Sequence, residues 1–312
     1  MTPHESRKTP LTTRMAADMK IRNLSPNTVN SYTYQVERFE NFLKDLGKHP
    51  AEATPEDIRE FQLYLIEVRQ LSWSSFNQAV CGLRFLYRFT LPRQWHVAMI
   101  PFGKKPKVLP PVLSAQEVDR LLQCVPVPKH RTLLTTLYAA GLRLSEGSNL
   151  KISDIDSDRM LLAVRCGKGN KDRMVPMSPK LLQHLRDYWK IDKPTSFLFP
   201  GNRADKPISG TTIQKAFKMA ALKAGIKKEV VPHTLRHSYA TGLLEAGVDL
   251  LTIGRLLGHR SFTRTMVYLH VRQPHLESTP SPIDWLPVRQ LPGWTKKPDR
   301  RTGDDDQPSE AS

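Results

Sequence analysis

The chain has 312 residues, of which 39% are hydrophobic and 25% charged, proportions typical of folded domains with their own cores. No apolar run approaches the roughly 18 residues that a membrane helix needs, and the amino-terminal start lacks the apolar stretch of a secretory signal. Three scattered cysteines form neither a disulfide framework nor a CxxC metal site, so reduced thiols in the cytosol are expected. These features exclude membrane-spanning and disulfide-stabilised secreted proteins.

The charge is distributed unevenly along the chain. The net charge is +17, and residues 101–275 alone carry +16 of it. A basic surface attracts nucleic acid without regard to sequence, although membrane surfaces attract basic proteins too. Charge therefore favours a nucleic-acid partner without establishing one.

Residues 11–91 are predicted to form a small bundle of four amphipathic helices, because apolar side chains recur there at steps of three and four. Ser25 followed by Pro26 marks a helix start, and Gly47 marks a helix end. The first ten residues are predicted to be disordered. Residues 92–111 are rich in proline and are predicted to form a linker between domains.

Residues 112–272 are predicted to form a second domain of mixed helices and strands. Ser114 and Glu117 have the spacing of a capping box at a helix start. Residues 160–164 and 173–175 alternate like short strands, and GKGNKD between them is typical of a hairpin tip. Further helices are predicted over 131–140, 181–189 and 211–224.

The chemically informative residues follow in the stretch 231–271. His233 and Arg236 are three apart, so a helix places them on one face. Gly258 and His259 come next, and Tyr268 lies nine positions after His259. A guanidinium binds phosphate oxygens in a fork, and tyrosine can act as a covalent nucleophile. The pattern therefore suits attack on a phosphodiester.

Two alternatives lie inside the same stretch. His233 and His237 have the i, i+4 spacing of zinc ligands, but HExxH and an obvious third ligand are missing, so no metal is expected. Tyr239 is a second candidate nucleophile, although an aromatic residue in mid-helix usually belongs to a core.

These motifs resemble those of the tyrosine recombinase, or phage integrase, family. The family's first arginine matches Arg143 in GLRLSEGSNL, its lysine matches Lys168 in GKGNKDRMVP, and the remaining motif residues are His233, Arg236, His259 and Tyr268. The resemblance implies a mainly α fold with a small β-sheet (α+β), combining a four-helix SAM-like core-binding domain with a mixed α/β DNA breaking-rejoining catalytic domain.

The resemblance also implies a role for each motif residue. Arg143 and Arg236 would hold the non-bridging phosphate oxygens, with Glu146 at i+3 orienting Arg143. His259 would donate a hydrogen bond to the phosphate, and His233 would accept the proton of the Tyr268 phenol. The general acid would be Lys168, with its hairpin neighbours Lys171 and Arg173 as alternatives.

The implied activity is site-specific recombination through a covalent 3′-phosphotyrosyl link, without cofactor, metal or ATP. The implied partner is double-stranded DNA, bound by a homotetramer as one dimer per site in the bacterial cytoplasm, at the nucleoid; accessory proteins are not identified. Candidate DNA contacts, any of which could instead be solvated, are Lys20, Arg22, Asn27, Arg84, Lys104, Lys105, Lys107, Lys171 and Arg173.

The tail 273–312 departs from the family pattern. Five prolines interrupt the stretch in which Xer-like members carry a short helix that docks on a neighbouring subunit. Docking in trans through Ile283, Trp285, Leu286 and Trp294 and loose packing in cis both remain open. The alternative functions are type IB topoisomerase activity and a DNA-binding regulator with an inactive site.

Overall fold

The structure, a computed structural model, describes residues 9–92, 100–104, 106, 109–165, 172–259 and 265–266. The chain divides into two compact units, Met1–Val108 and Leu109–Ser312. This boundary falls inside the predicted linker. The first ten residues were predicted to be disordered, but Thr9 caps the first helix and Pro10 begins it, because the Thr9 hydroxyl accepts the Thr12 N–H. The predictions for residues 1–8, for the tail 273–312, and for Lys105, Lys107, Lys168, Lys171 and Tyr268 lie outside the described residues.

The first unit contains the four predicted helices: α1 (Pro10–Ile21), α2 (Pro26–Asp45), α3 (Pro55–Glu67) and α4 (Trp73–Phe85), with a π-helical turn at Leu86–Thr90. Each helix begins after a serine or threonine whose hydroxyl accepts the backbone N–H three residues later. Such capping satisfies one of the unpaired N–H groups at a helix start. The helix start predicted at Ser25 is confirmed.

Aromatic rings fill the centre of this first bundle. The Phe39 and Phe61 rings lie 5.0 Å apart between centroids, and Tyr87 meets Phe39 edge to face at 6.3 Å. The Tyr87 hydroxyl donates a hydrogen bond to the Pro50 carbonyl at 3.0 Å, so this buried polar group is satisfied. The apolar faces of the helices thus build a core.

Residues 100–104 are bound to the first unit rather than free. Asn77 donates to the Gly103 carbonyl at 3.0 Å and accepts the Gly103 N–H at 2.9 Å. The Arg84 Nε donates to the carbonyl of Ile100 at 3.0 Å. This part of the predicted linker is therefore held by side chains of α4, a long-range pairing that proline content does not reveal.

The second unit contains seven α-helices within the described residues and a short 3-10 helix at Ile152–Asp154; the α-helices are α5 (Ala115–Gln123), α6 (Pro128–Ala139), α7 (Leu144–Ser148), α8 (Pro179–Asp192), α9 (Gly210–Lys223), α10 (Pro232–Glu245) and α11 (Leu250–Leu257). The capping box predicted at Ser114 is present, since its hydroxyl accepts the Glu117 N–H and the Glu117 carboxylate accepts the Ser114 N–H. Helices predicted over 131–140, 181–189 and 211–224 match α6, α8 and α9.

A three-stranded antiparallel sheet accompanies these helices, in the order β1 (Ile155–Asp156), β2 (Leu161–Val164) and β3 (Arg173–Pro176). In the β2–β3 hairpin Val164 pairs with Arg173. The predicted hairpin is confirmed. The first strand was not anticipated, because two residues are too few to show a period of two.

The main core of this unit surrounds α6, and a smaller apolar cluster joins α10 to α11. The smaller cluster consists of Ala240, Leu244, Ile253 and Leu257, all buried. It packs the carboxyl end of α11 against α10, and so positions Gly258 and His259, which follow α11. Within the described ranges, every helix is too short or too polar to cross a membrane.

Candidate active site

Arg143 lies at the start of α7, immediately after the turn that ends α6. Its backbone is extended, and its N–H donates to Oε2 of Glu146 at 2.8 Å. Its Nη1 donates to Oε1 of the same carboxylate at 2.6 Å. The Arg143 side chain is 21% exposed. The pair expected from the i, i+3 spacing is therefore present, and it leaves Arg143 accessible from solvent.

Glu146 collects two further guanidinium groups. Arg173 donates from Nη1 to Oε1 at 3.0 Å and from Nη2 to Oε2 at 2.8 Å, and the Nη1 of Arg236 lies 3.7 Å from Oε2. Burial of the carboxyl opposes its ionisation, but hydrogen bonds from Arg173 and from the Arg143 N–H outweigh burial and lower the pKa of Glu146 to about 2. A single buried anion thus faces three cations.

Arg236 is buried on α10, with its side chain 1% exposed. Its Nη1 donates to the Gly141 carbonyl at 2.7 Å, and its Nη2 donates to the Leu257 carbonyl. Gly141 has a φ of +59°, which glycine adopts without strain, and which turns the chain between α6 and α7. Arg236 therefore joins the turn that carries Arg143 to the end of α11.

Two histidines lie on α10 beside this cluster. The rings of His233 and His237 meet edge to face, with centroids 4.7 Å apart. Partial burial, and then the positive charges of Arg236 and Arg143, lower the pKa of His233 below its usual value. Burial first, and then His233 and Arg236, lower the pKa of His237 to about 4. Both imidazoles are therefore neutral near pH 7.

His259 follows the carboxyl end of α11. Gly258 adopts a φ of +62°, and the His259 N–H donates back to the Gly254 carbonyl at 3.0 Å. The Nδ1 of His259 lies 2.9 Å from the hydroxyl of Thr265, and Thr265 is fully buried. This contact fixes the ring in one orientation.

Tyr239, the alternative nucleophile, is partly buried and packs against the apolar cluster that joins α10 to α11. Its ring lies so close to Gly141 that a methyl group there would approach Cδ1 to 2.4 Å. Burial raises the pKa of its phenol. Both observations favour a packing role.

Of the other predicted DNA contacts among the described residues, Lys20, Arg22, Asn27 and Lys104 are exposed. Arg22 donates to the Asp18 carbonyl, and its guanidinium lies 4.2 Å from the centroid of the Phe89 ring. The contacts of Arg84 with Ile100 and of Arg173 with Glu146 engage both guanidiniums within the protein. These contacts favour structural roles for Arg84 and Arg173 over the DNA contacts suggested above.

Sequence reasoning missed two features of this site. Thr265 as the partner of His259 carried no signal, because neither residue type nor spacing marks a threonine that supports a histidine. Arg173 was recognised only as one of three cations near a hairpin tip. Among the described residues, no group of three His, Cys, Asp or Glu side chains could hold a metal ion.

Comparisons with known proteins show the family to which the chain belongs. Residues 111–275 match the model described as "Phage integrase family", and residues 11–97 match that of "Phage integrase, N-terminal SAM-like domain". The chain is 47% identical to y4qK of Sinorhizobium fredii, a protein of the integrase/recombinase type, over 89% of this chain and 90% of y4qK. It is 38% identical to the tyrosine recombinase XerA of Thermococcus kodakarensis, over 83% of this chain and 89% of XerA.

Solved structures share the fold. A lambda integrase dimer bound to a COC′ core site matches with a TM-score of 0.67 at 20% identity, over 81% of this chain and 95% of that one. The XerH recombinase bound to its difH substrate matches with a TM-score of 0.65 at 22% identity, over 86% of this chain and 84% of the XerH chain. The expected fold class is confirmed: the chain is mainly helical with a small sheet.

Proposed function

The chain belongs to the phage integrase family and is a DNA recombinase of the tyrosine recombinase type, and we propose that it cleaves and rejoins duplex DNA at specific sites through a covalent bond between Tyr268 and a 3′ phosphate. The observation that carries this proposal is the convergence of Arg143 and Arg236 on Glu146, beside His233 and the helix end that leads to His259.

Positive charge is what a phosphodiester needs for attack. Its oxygens are already anionic and gain charge in the transition state, and removing one well-placed electrostatic donor typically costs about 100- to 1000-fold in rate. Arg143 is partly exposed and would bind one non-bridging oxygen directly. The Arg236 side chain is buried, so its contact with the phosphate requires that its guanidinium become accessible when DNA binds.

The two histidines have different tasks in this proposal. His233 is neutral near pH 7, so it can accept the proton of the Tyr268 phenol, whose free pKa is about 10. If Nδ1 of His259 accepts a hydrogen bond from Thr265, the ring proton is on Nε2, from which it can be donated to a phosphate oxygen.

The bond changes balance without an external energy source. The Tyr268 oxygen attacks phosphorus and the bond to the 5′ oxygen breaks, while Lys168 gives a proton to that leaving oxygen. In rejoining, a 5′ hydroxyl attacks the phosphotyrosine and the phenol departs. Since the intermediate conserves the phosphodiester bond energy, neither ATP nor metal is required.

We further propose that the protein works on double-stranded DNA as a homotetramer on two paired sites. Recombination of two duplexes requires four strand cuts, and each subunit would contribute one tyrosine. The positive net charge of residues 101–275 supports DNA attraction, and Lys20, Arg22, Asn27 and Lys104 remain proposed phosphate contacts. The place of action would be the cytoplasm, at the nucleoid, where such substrate is found.

The test is trapping of the covalent intermediate. The probe is a pool of 5′-labelled duplexes cut from the DNA that flanks its gene, each nicked at a successive position, in a buffer with EDTA and without ATP. Release of the short 5′-hydroxyl fragment beyond the nick prevents rejoining, so the labelled strand stays on the protein. We expect an adduct that survives denaturation, with Tyr268→Phe abolishing it and the matched variant Tyr239→Phe retaining it.

The remaining outcomes separate the alternatives. An adduct together with crossover products between two duplexes identifies a recombinase. An adduct together with relaxation of supercoiled plasmid, but without crossover, identifies a topoisomerase. Sequence-specific binding without any adduct identifies a regulator and overturns the proposal.

A further inference from the structure

Arg173 touches three parts of the candidate site, although it lies beside the catalytic hairpin tip rather than on it. We propose that Arg173 is a positioning residue, which holds the Glu146 carboxylate and the carboxyl end of α11 at a fixed separation, and thereby sets Arg143 and His259 relative to each other. This proposal rests on the proposed function for its effect on rate, but its structural part can be measured independently.

Arg173 holds the Glu146 carboxylate in a fixed orientation. Arg173 donates one N–H to each carboxylate oxygen, at 3.0 and 2.8 Å, in the fork arrangement that fixes orientation as well as distance. The same two oxygens accept hydrogen bonds from the Nη1 and the backbone N–H of Arg143. Because both oxygens are held from the Arg173 side, the carboxylate cannot rotate without breaking a charged hydrogen bond.

Arg173 also contacts the carboxyl end of α11. The Nε of Arg173 donates to the carbonyl of Leu256 at 2.9 Å, and Arg236 donates to the next carbonyl, that of Leu257. The last carbonyls of a helix have no partner within it and carry partial negative charge, so cations stabilise them there. Two guanidiniums therefore grip the helix end from which Gly258 and His259 continue.

Arg173 also packs closely against Gly258. A methyl group on Gly258 would approach the Arg173 Cδ to 3.0 Å and its Nε and Nη1 to 3.3 Å. The Arg173 side chain is 12% exposed and lies directly against the turn that directs His259. Arg173 lies on β3 and pairs with Val164 of β2, at the base of the hairpin. The residue that contacts Glu146 and α11 is therefore also part of the hairpin base.

Only an arginine can make this set of contacts. The contacts use Nε, Nη1 and Nη2 simultaneously, which requires a planar group with donors in fixed directions. A lysine has the charge but presents one nitrogen, so it can neutralise Glu146 without holding the carboxylate and the Leu256 carbonyl together. Arg173→Lys therefore separates positioning from charge.

The chain offers a matched control in Arg165. Arg165 follows β2 on the opposite side of the same hairpin base, and its Nε donates to Asp154, a buried carboxylate other than Glu146. Its side chain is 59% exposed. Arg165→Lys and Arg173→Lys thus make the same chemical change at the two strands of one hairpin, and neither alters the net charge that attracts DNA.

The experiment measures the rate of adduct formation on the nicked duplex pool, the DNA dissociation constant, the thermal midpoint, and the exchange of the Gly258 and His259 amides. We expect Arg173→Lys to slow adduct formation by about 100-fold, the effect of ångström-scale misplacement of a catalytic group, with an unchanged DNA dissociation constant. We expect amide exchange at His259 to quicken by about tenfold because the helix end loses a partner. Arg165→Lys should change neither the rate nor the exchange.

Two results would overturn this inference: Arg173→Lys with the adduct rate and amide exchange of the unaltered protein, or an equal loss of rate in both lysine variants. If the unaltered protein forms no adduct, the proposed function fails, while the amide exchange still decides whether Arg173 holds the helix end. If Arg173→Lys does not fold, as its thermal midpoint will show, Arg173→Gln and Arg165→Gln replace the two lysine variants in the same measurements, so that both members of the pair again carry the same chemical change.

Discussion

The Arg236 guanidinium, buried within the second unit, lies with its Nη1 3.7 Å from Oε2 of Glu146. Arg143 and Arg173 contact the same carboxylate more closely. A buried cation is costly unless it is paired and hydrogen-bonded, and Arg236 meets both conditions through Glu146 and through the carbonyls of Gly141 and Leu257. The carboxylate is thus the common support of three guanidiniums.

Removing the charge of Glu146 should affect both stability and rate. Glu146→Gln leaves Arg236 buried without its counter-charge, and breaking a buried pair in this way costs about 3 to 5 kcal/mol. We expect that loss in the free energy of urea unfolding, and a fall in adduct formation to background. Asp154→Asn is the control, because Asp154 is an equally buried carboxylate that pairs with Arg165. It should lose stability but retain the rate, and a similar loss of rate in both variants would contradict the special role of Glu146.

His237 should make stability depend on pH. Its pKa is about 4 in the folded protein and near 6.5 when unfolded, chiefly because of burial. Between these values the unfolded chain binds a proton that the folded chain does not, so stability is complete above pH 6.5 and declines as the pH falls towards 4. For this group the decline from pH 7 to pH 5 is about 2 kcal/mol.

The measurement is urea unfolding at pH 7 and pH 5. His237→Gln should reduce the difference in unfolding free energy between the two pH values by that amount. His184→Gln, which changes an exposed histidine on α8, should leave the difference as it is. An undiminished difference in His237→Gln would show that His237 is not the group responsible.

Gly258 should tolerate a side chain poorly, for two reasons. Its φ of +62° disfavours any residue with a Cβ by roughly 1 to 2 kcal/mol, and the Cβ would also press on Arg173. Gly225 provides the control: its φ is +68°, but nothing lies within 4 Å of a Cβ placed there. We expect Gly225→Ala to lose only the backbone contribution in thermal unfolding, and Gly258→Ala to lose more stability together with adduct formation.

Lys20 should contribute to DNA binding through the phosphate backbone alone. It is exposed at the last turn of α1. Lys20→Ala should weaken binding equally for all DNA sequences and reduce the slope of log K against log salt by about 1. Lys44→Ala, the same change in the last turn of α2, should leave the slope unaltered. Equal slopes for the two variants would remove Lys20 from the interface.

The sequence by itself determined the features that depend on neighbours along the chain. Ser25 and Ser114 start helices because a hydroxyl reaches an N–H only three residues away, and Gly47 ends one because its left-handed conformation is local. The order of motif residues from Arg143 to Tyr268 was equally legible, since it is a property of the chain and not of its folding.

The tertiary structure alone decided which partner each long cationic side chain takes. Arg84 and Arg173 are each as compatible with a DNA phosphate as with a protein oxygen when only their sequence context is known. The fold brings the Ile100 carbonyl to Arg84, and it brings Glu146 and the Leu256 carbonyl to Arg173. A guanidinium pairs with whichever acceptor lies within about 3 Å, and that distance is set by packing between residues far apart in sequence.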